Sequence, residues 1–535
     1  MKKALILLVF LHTLLGYSQT EYKFRVWLKD KNGTNYSLNK PNEFLNSRSL
    51  ERRHNQNIPI DSTDIPVSNQ YKSTLSNLGV KIIATSRWMN TVVISTTDST
   101  IISTIRQLTF VKAAEWVWQG TIINKSAKLK SDMQIARGPS SSILEEYGYG
   151  LTQLTVSNGQ KLHQAGYRGE GKMIALIDAG FQNADTISAY KPGTILGTRD
   201  FVNPGGNVFN EDKHGQSVLS IMAAIDSFQF IGAAPRATYW LLRSEDAYSE
   251  YPVEEDYWAS AAEFADSVGV DLINTSLGYT QFDAPQLDHT LSQLDGKTIF
   301  VSRVAQIATN KGIFVVVSAG NEGNKAWQKI GAPADAADVL TVGSVNIKLQ
   351  ISAFSSIGFT ADNRVKPDVV SIGEGTYLLD STGKPSTSNG TSFSAPLMTG
   401  MIACLWQALP QLSNKQLLDL IRSQSSFYTL PDIHYGYGIP DMWTAYQLVT
   451  GVQAIQNTQP EVFFNNKKGN SISIRNLPNT DSIYKVNVYS ETGRILFSEK
   501  IDSSDRILNV RTLKHGFYIV YIEGKTHHYT KKLVK

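Results

Sequence analysis

Short segments that are apolar at nearly every position, rather than at every second one, constrain this chain most. Met173-Ile174-Ala175-Leu176-Ile177, Val270-Asp271-Leu272-Ile273-Asn274 and Ile313-Phe314-Val315-Val316-Val317 are the clearest, followed by Val339-Leu340-Thr341-Val342. A strand with one wet face alternates apolar and polar residues. Strands apolar on both faces need cover on both sides, which is the pattern of a parallel sheet between helices. Segments 217–225, 258–267, about 301–310 and 394–409 read as the covering helices. The expected fold class is therefore α/β with a mainly parallel sheet, over residues 150–457.

Both flanks read differently. Lys2 and Lys3 precede the apolar run Ala4 to Leu11, and Gly16-Tyr17-Ser18 supplies small residues at a cleavage point, so 1–19 reads as a signal peptide. The rival reading, a membrane anchor, needs roughly 20 apolar residues, more than this run contains. Residues 20–149 hold a first strand at 22–28, a polar and basic stretch at 38–57, helices at 71–78 and 101–108, and strands at 80–84, 91–95 and 111–117. That alternation suits a small α+β module, with 125–148 as a polar linker. Beyond the punctuation Tyr435-Gly436-Tyr437-Gly438-Ile439-Pro440-Asp441, residues 458–535 turn to alternating strands at 471–474, 484–489, 494–498, 506–510, 516–523 and 528–534, the pattern of a compact β-sandwich. A chain of 535 residues, 41% hydrophobic, can support several such domains.

Composition narrows the partners. A formal charge of +4 with 18% charged residues gives no dominant field, so no nucleic-acid partner is expected. No later segment is apolar over a spanning length, so no transmembrane anchor is expected. Cys404 is the only cysteine, which excludes an intrachain disulfide; in its apolar run it reads as core material.

Three polar segments interrupt the apolar pattern of the central region. Asp178, in Ile177-Asp178-Ala179-Gly180, ends an apolar strand, where the loops of a parallel sheet collect functional groups. His214, in Lys213-His214-Gly215-Gln216-Ser217, precedes a helix, with glycine leaving the ring room; without neighbouring histidines a metal centre is not supported. Ser392, in Asn389-Gly390-Thr391-Ser392-Phe393-Ser394-Ala395-Pro396, is crowded by small residues before a proline able to start a helix, which suits a hydroxyl displayed at a turn. Taken singly, each is equally an ordinary turn, cap or surface residue.

Together and in this order, the three segments resemble the subtilase family of serine peptidases. Ser318-Ala319-Gly320-Asn321-Glu322-Gly323 resembles its oxyanion segment, and Asn274-Thr275-Ser276-Leu277-Gly278 the strand-loop that receives substrate. Gly166 to Gly171, Ile231 to Pro235 and Lys366 to Val369 extend the resemblance over roughly 151–457. The order Asp, His, Ser is that of subtilisin, so it supports the resemblance without being an independent derivation. The resemblance implies that Ser392 attacks the scissile carbonyl, His214 takes its proton, Asp178 orients the imidazole and Asn321 donates to the oxyanion. It also implies a cleft lined by Ser276, Leu277, Gly278, Ala319 and Gly320, in which an extended protein or peptide substrate pairs with enzyme edges. No cofactor enters that chemistry. Structural calcium is common in the family, but no metal ligand is assigned here. Two positions depart from the family pattern: Ala179, where a hydroxyl residue is usual, and Gln216, where threonine is usual. The competing interpretation is an inactive subtilase scaffold kept for binding. Tyr279, Phe282 and the acidic, aromatic insertion 245–251 read first as a solvated loop with surface aromatics, and second as a modifier of side-chain preference.

The flanking modules resemble subtilase companions. Residues 20–117 are similar to a subtilase propeptide in position, size and α+β pattern, which implies assistance in folding and a block on the cleft until removal; the rival is a permanently attached domain. The tail, through Tyr489-Ser490-Glu491-Thr492-Gly493-Arg494, Leu513 to Val520 and Tyr529 to Lys535, resembles the C-terminal sorting domain of the Bacteroidetes type IX secretion system. That implies entry to the periplasm by the signal and export across the outer membrane by the tail, to a secreted or cell-surface location; the rival is a carbohydrate- or protein-binding sandwich.

Overall fold

Seven strands form one sheet in the order Val369–Ile372, Leu340–Val345, Phe314–Ser318, Leu272–Thr275, Met173–Asp178, Thr238–Arg243 and Ile195–Asp200, every neighbouring pair parallel. The computed structural model describes residues 20–121, 134–135, 147–227, 229–451, 461–465, 471–475, 477, 481, 483–502, 504, 506–510, 512–514, 516–525 and 528–535. The expected signal, 1–19, and nearly all of the expected linker, 125–148, lie outside them.

Alternate residues of each inner strand enter opposite cores, which is why these runs are apolar throughout. Ile174, Leu176, Val316 and Val342 pack on one side with the helices His214–Ala223 and Thr391–Ala408. Ala175, Ile177, Ile273, Val315 and Val317 pack on the other with Val253–Ser267 and Phe300–Asn310. From Met173–Asp178 the chain goes first to the edge strand Ile195–Asp200, returns through Thr238–Arg243, and then crosses to the other side, where the remaining strands follow in order from Leu272–Thr275, so the winding reverses beside Met173–Asp178. Such a switch point opens a crevice at the carboxyl ends of the strands.

Several expectations are corrected. Ile195–Asp200 and Thr238–Arg243 are strands not anticipated; the first is an edge strand with exposed Leu196, Thr198 and Arg199, so it lacks the apolar signature. The polar stretch 38–57 contains a helix, Ser47–Asn55, with Asn46 capping it by accepting from the Ser49 N–H. The expected helix 258–267 starts at Val253, because Glu254, Glu255 and Asp256 are buried and partnered in its first turn. The helices expected at 217–225 and 394–409 begin at His214 and Thr391, which places His214 and Ser392 inside their first turns rather than before them.

The N-terminal module is a four-stranded antiparallel sheet in the order Lys81–Ser86, Thr91–Thr96, Thr20–Leu28 and Val111–Thr121, with its own core of Val26, Leu75, Val92, Ile94 and Ile105. It docks on Val253–Ser267 largely through buried ions. Asp266 takes Arg52 at 2.5 Å, Arg53 at 2.6 Å and Arg87 at 2.8 Å, all three from the module. Arg25 holds both oxygens of Asp256, at 2.8 and 2.7 Å. Glu263 accepts from Ser86 Oγ and from the backbone N–H groups of Arg87 and Trp88. Burial alone would raise the Asp266 carboxyl; the three guanidiniums outweigh it and hold it below the usual range.

The tail forms a separate unit from Thr450 onward. One antiparallel sheet orders Glu461–Asn465, Ser471–Arg475 and Arg506–Asn509; the other orders Ile495–Ile501, Tyr484–Ser490, Phe517–Glu523 and His528–Val534. Ile472, Ile474 and Leu508 meet Val486, Val488, Val520 and Ile522 in one core. Glu461–Asn465 is a strand not anticipated.

Asp266→Ala leaves three buried guanidiniums without their shared anion. Breaking a buried ionic cluster costs about 3–5 kcal/mol, so the uncleaved chain should melt at a clearly lower temperature by scanning calorimetry. An unchanged melting temperature would show that the module does not depend on this cluster.

Candidate active site

Three neighbouring strands end at one place. Met173–Asp178 delivers Asp178, Leu272–Thr275 leads into Ser276, and Phe314–Ser318 leads through Ala319 and Gly320 to Asn321. Asp178 is fully buried, and its Oδ1 lies 2.8 Å from His214 Nδ1. The approach requires glycine at 215: a Cβ there would fall 2.4 Å from the Gly180 carbonyl oxygen and 2.9 Å from the Asp178 Cβ. Asp212 Oδ1 accepts the His214 N–H at 2.7 Å, fixing the start of the helix.

The His214 side chain is 31% exposed, with its ring 5.8 Å from that of Phe393. Burial alone favours the neutral imidazole. The Asp178 charge and hydrogen bond, followed by the charges of Asp212 and Glu245, outweigh it, and the net displacement is upward from the ordinary value.

Ser392 is held by a reciprocal clasp. Pro396 has no N–H to give the Ser392 carbonyl four residues earlier, and Ser276 Oγ donates to that carbonyl instead, at 2.9 Å. In return the Ser392 hydroxyl donates to the Ser276 carbonyl at 3.3 Å, and it makes no hydrogen bond to His214. Behind the clasp, Thr399 Oγ1 donates to Asn274 Oδ1 at 2.8 Å and Asn274 Nδ2 donates to Ser276 Oγ at 3.2 Å.

Asn321 is oriented by Thr391. The Thr391 N–H can only donate, and it meets Asn321 Oδ1 at 2.9 Å, with the Thr391 hydroxyl at 3.0 Å on the same oxygen. The amide nitrogen is thereby left on the other side, 3.5 Å from where a side chain on Gly390 would begin. Gly320, at φ +105°, donates its N–H to Thr391 Oγ1.

The expected cleft residues divide. Ser276, Leu277 and Gly278 line a cavity of about 500 Å³ together with His214 and Ala179. Among the described residues, neither Leu277 nor Gly278 uses its backbone N–H or C=O in a hydrogen bond, so this edge is open to an extended peptide. Ala319 is buried, with its N–H on the Val342 carbonyl. The two departures also have physical readings. Gln216 points away from the site, donating to Tyr190 Oη and the Leu379 carbonyl. Ala179 brings no hydroxyl to Asp178, whose Oδ2 is buried without a hydrogen-bond partner among the described residues.

The insertion 245–251 is solvated at its tip, where Ala247 and Tyr248 are exposed, and anchored at its base. Glu245 is buried and accepts from Tyr279 Oη at 2.5 Å and Ser244 Oγ at 2.8 Å; Phe282 is buried as well. Single-residue reading missed this wall because its partners come from 244, 254 and 279. It also missed Asp212 and Thr391, whose only signal is adjacency to His214 and Ser392. Burial first, and neighbouring carboxylates second, push Glu250 up to about 8, and burial pushes Glu245 up to about 7. The carboxylates of Glu245, Glu250 and Glu254 lie within 4.8 Å of one another, the only such group among the described residues. Glu245 Oε1 and both oxygens of Glu254 already accept protein hydrogen bonds. Calcium takes six to eight oxygen ligands, so the group fits a cation held by charge better than a chelated metal.

Comparison with known proteins gives three adjoining matches. The family model described as Subtilase family matches 169–438, Peptidase S8 propeptide domain, Bacteroidota, matches 23–134, and Secretion system C-terminal sorting domain matches 465–535. Subtilisin NAT of Bacillus subtilis subsp. natto and subtilisin E of Bacillus subtilis (strain 168) are each 28% identical over 350 residues, 64% of this chain and 82% of the relative. Among solved structures, MycP1 with its N-terminal propeptide removed is 24% identical with a TM-score of 0.44, covering 55% of this chain and 96% of that one.

A base must be neutral to accept a proton, and the imidazole is displaced upward. The acid limb of kcat/KM should therefore lie above the ordinary imidazole value of about 6.5. Asp212→Asn, which removes one of the raising charges, should move the limb down in a pH–rate profile. A limb that ignores Asp212 would separate this charge from the base.

Proposed function

This chain belongs to the subtilase family of serine peptidases, and from that premise we propose that it hydrolyses peptide bonds within proteins by an acyl-enzyme route through Ser392, His214 and Asp178. The observation that carries the reading is the 2.8 Å contact of His214 Nδ1 with Asp178, which leaves Nε2 as the free ring nitrogen beside the Ser392 turn.

With substrate bound, the Ser392 hydroxyl turns from the Ser276 carbonyl to His214 and attacks the scissile carbonyl as Nε2 takes its proton. Asp178 holds the tautomer and stabilises the imidazolium; the same proton then passes to the leaving amine. Water enters by the reverse sequence and frees the acid product. The tetrahedral oxyanion is met by the Asn321 amide, which Thr391 has already oriented, and by the Ser392 N–H, one of the donors left unpaired at a helix start. Leu277 and Gly278 pair with the extended substrate, while Gly320 supplies the wall opposite, backed by the buried Ala319. No cofactor takes part in these steps, and no structural calcium ligand is proposed.

The two flanking matches give the chain its route. An S8 propeptide module precedes the peptidase, and a sorting tail marks the protein for export and secretion or surface attachment. We assign that export to the type IX machinery, and the removal of the N-terminal module to the enzyme itself.

Ser392→Ala should abolish peptide hydrolysis and should be secreted with the N-terminal module still attached by intact mass; normal turnover or normal processing in a protease-free host would defeat the assignment. Asn321→Ala should lower kcat by about 10²–10³, the magnitude known from subtilisin itself, with KM little changed. Deleting 458–535 should leave an enzyme that still cleaves peptides but stays in the periplasm of a type IX host. Normal export of the truncated chain would remove the sorting role.

A further inference from the structure

The cavity beside His214 has walls of one sign. Five acidic residues line it, Glu245, Asp246, Glu250, Glu254 and Asp283, and among the described residues lining it there is no lysine or arginine. Arg243, whose charge acts on Glu245, is engaged by Asp200 at 3.0 Å and Glu211 at 3.2 Å. Glu245 and Glu254 are held in place by the Tyr279 hydroxyl and by the N–H groups of Asp246 and Tyr251. Among the described residues, none donates a hydrogen bond to the Glu250 carboxylate. The cavity opens onto the unpaired backbone of Leu277 and Gly278, so a peptide laid along that edge has this space within reach of a side chain.

A second, independent observation says which side chain. The strand Val111–Thr121 brings Trp116 and Trp118 to 6.4 and 6.2 Å from the ring of Tyr251, next to Glu250. The chain is next described at Gln134–Ile135, antiparallel to Thr387 and Ser386 in the hairpin that leads into the Ser392 turn. Residues 122–133 lie between these two segments in the sequence. Their sequence, Ile-Ile-Asn-Lys-Ser-Ala-Lys-Leu-Lys-Ser-Asp-Met, carries Lys125, Lys128 and Lys130 against the single acid Asp132. This stretch, the C-terminal end of the propeptide match, is thus basic where the cavity is acidic.

We infer that the Glu245–Glu250–Glu254 cavity is a specificity subsite for a lysine or arginine side chain, which makes this a peptidase selective for basic segments, its own segment 122–133 included. The inference rests on the peptidase reading above and names its substrate class. A basic head bound there donates to the Glu250 carboxylate and offsets the burial, and then the neighbouring carboxylate charges, that raise Glu250 to about 8. Its aliphatic stem lies along Leu277 and Tyr248.

The test uses the purified enzyme with fluorogenic peptides in which each position around the cleaved bond carries in turn Lys, norleucine, Gln or Glu. At one position Lys should exceed norleucine by about tenfold or more in kcat/KM, as expected of one charge-assisted contact. Glu250→Gln should collapse that ratio toward one, and Glu250→Lys should reverse it in favour of Glu at the same position. Hydrolysis without a basic preference at any position, or a preference unmoved in both variants, overturns the inference while leaving the peptidase reading intact. Failure of the peptidase reading looks different, since Ser392→Ala would then match the unsubstituted enzyme. If chelation by EDTA abolishes the preference and calcium restores it, the carboxylates hold a metal and the subsite is overturned.

Discussion

A sheet with no wet face dictates where this molecule can place polar chemistry. The inner strands Met173–Asp178, Leu272–Thr275 and Phe314–Ser318 are buried along their whole length, with alternate residues in two cores. Backbone groups within them are paired, and side chains within them are apolar or small except Asn274, whose amide is satisfied by Thr399 and Ser276. Polar groups can emerge only where the strands stop. Asp178, Ser276 and Asn321 stand at or just beyond three adjacent carboxyl ends, so the switch in strand order and the candidate site are one feature seen at two scales.

Burial at these strand ends also removes freedom from the side chains. Pro396 withholds a donor from the Ser392 carbonyl, and Ser276 fills the vacancy through its hydroxyl. Thr391 spends its own N–H and hydroxyl on one oxygen of Asn321, which leaves the amide nitrogen no choice of side. Neither arrangement involves large energies. Each removes a rotamer that would otherwise compete with the orientation needed for reaction, so the geometry is present before substrate arrives.

The same logic explains what could be read from the residues alone. The buried strands announce themselves because both faces are apolar, and Asp178, His214 and Ser392 stand out as polar interruptions at their ends. Ile195–Asp200 is silent because an edge strand carries polar residues on its free face. The first turn of Val253–Ser267 is silent because Glu254, Glu255 and Asp256 look like solvent-facing acids, although Arg25, more than two hundred residues away, pairs with Glu255 and Asp256. The acidic insertion misleads for the same reason: Glu245 is buried against Tyr279, a contact no local pattern encodes. Long-range ion pairing, rather than weak propensity, is what the chain conceals.

Those concealed acids give one helix two different jobs. Along Val253–Ser267, Asp256, Glu263 and Asp266 are each neutralised or hydrogen-bonded by the N-terminal module, through Arg25, the Ser86–Trp88 corner and the three arginines on Asp266. Glu254, in the first turn, faces the cavity instead and, among the described residues, receives only two backbone N–H groups. A desolvated carboxylate without a cation is costly, whereas the same group with one is a strong recognition element. The module therefore supplies cations or hydrogen-bond donors to Asp256, Glu263 and Asp266, while Glu254 is held by backbone N–H groups of its own domain. Charge balance along a single helix separates the surface that binds the module from the surface left open beside His214.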